Sequence, residues 1–100
     1  MEERTYLVIL YDYYGSLLKE KQRLYFEDYY FNNFSLKEMA DNYQISRNAV
    51  HKQIKTACEK LYYYEEKLKL YKKGSLLEGI IKEIKDENLQ EKLIKLVEED

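Results

Sequence analysis

Residues 35–61 read SLKEMADNYQISRNAVHKQIKTACEKL, and the fold turns on how this stretch is parsed. Ser35 with Glu38 three residues on forms a capping box, in which a hydroxyl and a carboxylate satisfy backbone N–H groups at a helix start. Phe34 before the cap and Met39 inside it are placed as a hydrophobic staple. Eleven residues further, Ser46 repeats the arrangement with Ile45 and Val50. The spacing predicts a short helix through about Tyr43, a tight turn, and a second helix from Arg47. That turn commonly uses glycine because positive φ is easy there, yet position 44 is Gln44.

Two helices joined this way form a helix-turn-helix, in which they cross steeply and the first needs a small residue at the crossing. Ala40 is that residue, and Met39, Tyr43, Ile45, Val50, Ile54, Ala57 or Cys58, and Leu61 make one seam for packing helix on helix. The opposite face of the second helix carries Arg47, Asn48, His51, Lys52, Lys55 and Thr56, with Gln53 at its flank. Arg, Asn, Gln and Lys can pair with base edges, and they cluster in the N-terminal turns, where a recognition helix enters the major groove. The positive end of the helix dipole also lies there and favours phosphate. No acid interrupts the face between Arg47 and Thr56.

Outward from this stretch the chain reads as helix throughout: it has no proline, and its three glycines stand at 15, 74 and 79, so strand punctuation is nearly absent. Leu7, Leu10, Tyr11, Tyr14 and Leu17 or Leu18 mark one face of a helix over residues 4–17, with Gly15 near its end. Residues 20–31 predict a second helix with Leu24, Tyr25, Tyr29 and Phe31 inward and Glu20, Lys21, Arg23, Glu27 and Asp28 toward water, broken by Asn32-Asn33. From Arg47 the pattern runs without a breaker to Lys73, where Gly74 offers a stop and Ser75 with Glu78 a third capping box. Leu77, Ile80, Ile81 and Ile84, then Leu89, Leu93, Leu96 and Val97, predict one or two amphipathic helices around a polar interruption at 86–88. The expected organisation is an all-α chain with a helix-turn-helix domain over 1–75 and an amphipathic helical tail over 76–100.

The formal charge of −2 excludes dispersed, histone-like wrapping of DNA. Residues 1–34 hold four bases against six acids and residues 61–100 eight against ten, while residues 35–60 hold five against three. Nucleic-acid binding must therefore be local to the quoted stretch. Cys58 is the sole cysteine, which fits a reducing, cytoplasmic location and reads as a small core residue. No apolar run approaches the ~20 residues of a membrane span. His51, the only histidine, has no ligand-type neighbours at metal spacing, and no nucleophile with a base or phosphate-cradling loop is visible. The expectation is a non-enzyme without metal, cofactor, small-molecule substrate or membrane partner. Tyr62-Tyr63-Tyr64 cannot all face inward on one helix, so at least one is expected at the surface.

The run LLKEKQRLYFEDYYFNNFSLKEMADNYQISRNAVHKQIK resembles region 4 of bacterial sigma factors. With YDYYGSLLKEKQ before it and LYYYEEKLKLY after it, residues 6–72 look like the small YlxM-like helix-turn-helix proteins of bacteria. The resemblance implies a sigma-region-4-like fold and a DNA-binding regulatory role. It also implies a link to the signal recognition particle pathway, an association drawn from neighbouring genes. The runner-up expectation is therefore an accessory factor contacting that particle's RNA or protein. By position, Ser46, Arg47, Asn48, Ala49 and Val50 match the start of the family's recognition helix, and Lys52 and Lys55 its outward basic positions. Lys19 departs from a capping threonine common in the family. A single basic helix face binds weakly, so a homodimer is expected, with the long helix and the tail as its surfaces.

Overall fold

The computed structural model describes residues 3–98 and among them shows six α-helices and no strand, as the composition requires. They are α1 Arg4–Tyr14, α2 Glu20–Tyr30, α3 Leu36–Tyr43, α4 Arg47–Leu68, α5 Leu70–Lys82 and α6 Glu87–Glu98. The chain divides into two compact units at the Leu68–Lys69 junction.

In the first unit, α4 is the common support on which α1, α2 and α3 pack. Leu7, Leu10 and Tyr14 from α1, Phe26 from α2, Met39 from α3 and Val50, Ala57 and Leu61 from α4 are fully enclosed. The Tyr11 and Phe26 rings stack at 4.6 Å, and the Tyr14 hydroxyl donates to Glu65 at 2.6 Å, tying α1 to the far part of α4. Helix α1 stops at Tyr14 rather than near Leu17, and Gly15–Leu17 form a single 3-10 turn. Glycine is what lets the turn form so tightly: a Cβ on Gly15 would sit 2.9 Å from two Tyr11 ring carbons. The tighter turn buries Leu18 and sends Leu17 to solvent.

The inward face of α2 is corrected more substantially. Leu24 and Phe31 are exposed, whereas Gln22, Tyr25, Phe26, Asp28 and Tyr30 are buried. This stripe has regular helical spacing, and tertiary packing against α4 and α3 selects it over the neighbouring one. Asp28 enters the interior because partners await it: the Tyr43 hydroxyl donates to one carboxylate oxygen and Asn32 to the other at 3.3 Å. Burial, then the bond to Asp28, pushes the Tyr43 phenol up to about 12. Cys58 is buried as expected, 3.7 Å from the Tyr30 hydroxyl. Lys19 gives α2 no side-chain cap, since an ammonium has nothing to accept with; instead Gln22 Oε1 accepts from the Lys19 N–H at 3.4 Å and from Lys60 Nζ at 3.2 Å.

Helix α4 ends at Leu68, not Lys73. Its last buried residue is Leu61; past it Tyr62 lies against Tyr6, and Tyr64 with Glu65 against Tyr14. Beyond them the helix has no buried side chain to hold, and Lys69 turns left-handed at φ 56, ψ 34. Gly74 lies inside α5, so the expected stop and the Ser75 capping box do not form. In the second unit α5 and α6 pair with each other. Asp86 caps α6, its carboxylate accepting from the N–H groups of Asn88 at 3.0 Å and Leu89 at 3.2 Å. Gln90 Nε2 donates to the Ile81 carbonyl at 3.0 Å, across the seam of the pair.

Candidate nucleic-acid interface

Both helix starts in the quoted stretch close as their residues dictate. The Glu38 N–H donates to Ser35 Oγ at 3.0 Å while the Ser35 N–H donates to Glu38 Oε1 at 3.0 Å, the reciprocal pair of a capping box. Those bonds, the backbone one foremost, hold the Glu38 carboxyl below its usual range. At the second start the Ala49 N–H donates to Ser46 Oγ at 3.0 Å. Between them Gln44 takes the left-handed conformation at φ 56, ψ 45, and the Ile45 N–H reaches back to the Ala40 carbonyl at 3.1 Å. The turn thus has the geometry its position demands without a glycine.

Ala40 is buried beside Met39 at the crossing, and Val50, Ile54, Ala57, Cys58 and Leu61 fix the rotation of α4 by facing inward. Tyr43 and Ile45 are half-buried members of the same seam. With that face committed, Arg47, Asn48, His51, Lys52 and Lys55 are all exposed, spread over about 140° of the helix at 100° per residue. Thr56 and Gln53 are half-buried at the margins. Glu59, exposed on the same side, is the first acid the face meets. The sequence-derived set therefore stands together on one surface, with Thr56 at its edge. Asn42 and Gln44, exposed just before α4, join the polar surroundings of the turn. The sequence reading treats Gln44 only as a backbone constraint and passes over Asn42; what could have found them is their place within five residues of the second cap.

Among the described residues no three His, Cys, Asp or Glu side chains stand close enough to hold a metal ion. No described helix is long and apolar enough to cross a membrane. Tyr63 is exposed, with Tyr62 and Tyr64 half-buried, as the tyrosine run requires.

Two capped helices, a left-handed turn and a small residue at the crossing define a helix-turn-helix protein. The family model described as "Putative helix-turn-helix protein, YlxM / p13 like" matches residues 1–99, and the chain belongs to that family. Its relatives include a UPF0122 protein of Malacoplasma penetrans, 44% identical over 86 residues that cover 86% of this chain and 80% of the relative. A UPF0122 protein of Fusobacterium nucleatum is 37% identical over 98% of this chain and 95% of its own. The UPF0122 protein YlxM of Bacillus subtilis is 47% identical over 73% of this chain and 66% of its own.

Proposed function

We propose that the protein is a DNA-binding regulator that lays the first turns of α4 in the major groove. Arg47 and Asn48 read base edges, Lys52 and Lys55 meet phosphate, and His51 and Thr56 complete the contact surface. The observation that carries this reading is the acid-free exposed face from Arg47 to Lys55, held in rotation by a buried seam and set at the positive end of a helix dipole. The acidic balance of the rest of the chain is consistent with a small footprint, and one such face supplies too few phosphate contacts for specific affinity. Two copies on adjacent half-sites provide it.

Fluorescence anisotropy across a salt series tests the proposal, with genomic DNA fragments, signal recognition particle RNA and the particle's protein as separate targets. Lys52→Ala should weaken DNA binding evenly across sequences and reduce the salt slope by about 1. Arg47→Ala should cost about 1–3 kcal/mol and relax sequence preference. If neither substitution weakens any complex, the face is not the binding surface. Tighter binding to the RNA than to every DNA fragment, or a salt slope near zero with the protein, would transfer the function to the particle.

A further inference from the structure

Among the described residues Asp28 is the only acid that the fold buries. Its main-chain carbonyl accepts from the Phe34 N–H at 3.0 Å, just ahead of the Ser35 cap. Its carboxylate accepts from the hydroxyl of Tyr43, the last residue of α3. One residue of α2 therefore holds both the entry to α3 and its exit. Helix side chains lean toward the N-terminus, so the Tyr43 ring lies back along α3, and it stacks at 4.7 Å on Tyr25, one turn before Asp28 on α2.

Both donors to the carboxylate, Tyr43 and Asn32, are neutral. Burying a carboxylate on neutral donors costs stability that an apolar side chain there would not. What the carboxylate adds is direction. An apolar contact tolerates sliding and rotation, whereas a hydrogen bond to a phenol at the end of a rigid ring does not.

Direction matters at this point of the chain, because only Gln44, Ile45 and Ser46 lie between Tyr43 and the start of α4. The first buried residue of α4 is Val50, so Arg47 and Asn48 stand ahead of the helix's own seat in the core. They are held by the Ser46 cap, by the left-handed Gln44, and by the Ala40 carbonyl that receives the Gln44 and Ile45 N–H groups. Lys55 is placed differently, flanked by the buried Ile54, Ala57 and Cys58.

We infer that Asp28 is a positioning residue for the start of the recognition helix. Through the Tyr43 hydroxyl it fixes the end of α3, and with it the direction in which Arg47 and Asn48 leave the turn. What that direction serves rests on the DNA-binding reading; the hold on the turn does not.

Two readouts on the full chain test this, one of them without nucleic acid. In amide hydrogen exchange, Tyr43→Phe should speed the Ile45 and Ala49 N–H groups, which close the turn and the Ser46 cap, about tenfold more than the Leu10 and Leu61 amides of the core. A hydroxyl that only stabilised the fold would move all of them together. In fluorescence anisotropy with genomic DNA fragments, Tyr43→Phe should weaken binding about three- to tenfold. The further loss caused by Arg47→Ala should shrink in that background, while the loss caused by Lys55→Ala stays as in the wild type. Asp28→Asn, which keeps an acceptor for the phenol, should disturb both readouts less than Asp28→Ala. Equal exchange changes at turn and core, an Arg47→Ala loss undiminished in the Tyr43→Phe chain, or loss of helical circular dichroism in both Tyr43→Phe and Asp28→Asn would overturn the proposal. A wild type that binds no DNA removes the DNA reading alone and leaves the exchange comparison to decide the role of Asp28.

Discussion

In the first unit each of α1 to α4 buries at least two side chains in a shared core, whereas α5 and α6 together bury only Ile81. The tail is not short of apolar residues. The difference is geometric: four crossing helices can enclose side chains, but two can only line a seam, leaving each helix a second apolar flank. Amphipathic periodicity is thus the same signal in both units, and the number of helices available decides whether it becomes core or surface.

The largest test of that contrast is a pair of truncations. Phe26→Ala, at a fully enclosed site, should cost about 3–5 kcal/mol, while Ile94→Ala in dilute protein should cost under about 1 kcal/mol. Chemical denaturation reads both, and equal costs would break the contrast. A smaller effect is expected at two of the three positive-φ residues, Gln44 and Lys69, which share φ 56. Gln44→Gly should raise the first unit's stability by up to about 1 kcal/mol by removing a Cβ clash. Lys69→Gly should change that transition by less than about 0.5 kcal/mol, because α4 holds no buried side chain beyond Leu61. Thermal melts that moved equally would mean the junction belongs to the first unit's cooperative fold.

The smallest effect concerns acid. The folded chain holds the Glu38 carboxyl below its ordinary value of 4.5, so its stabilisation is full at neutral pH and lost as pH falls through the carboxylate range. Glu38→Gln keeps an acceptor but cannot titrate. Its melting temperature should match the wild type in acid and fall slightly below it at neutral pH; parallel curves would show that the box is not closed in solution.

What could be read in advance divides along physical lines. The caps at Ser35 and Ser46, the small Ala40 and the exposure of Arg47, Asn48, His51, Lys52 and Lys55 were legible, because each depends on neighbours within about one turn. The inward face of α2 was not. LYFEDYYF is apolar around most of its circumference, so periodicity cannot choose between Leu24 and Phe26, and the burial of Asp28 depends on Tyr43, which is fifteen positions away. The helix end at Leu68 was hidden for a related reason. Gly74 is the obvious local stop, but the break falls beyond the last buried residue of α4, Leu61, on a lysine with no turn preference of its own. Thr56 shows the limit on the site side: a residue type suited to contact, rotated to the margin by the seam beneath it.

The acid-free face bounded by Glu59 also limits how much a single copy can know about its target. From Arg47 to Thr56 the helix advances about 13 Å, roughly four base-pair steps at 3.4 Å each. Four fully read positions carry about eight bits, a word that recurs by chance every ~250 base pairs, far too often to stand out among about a million or more genomic sites. Two such words at a fixed spacing carry about sixteen bits, so for a DNA target the discriminating power resides less in any one side chain than in the distance between two helices.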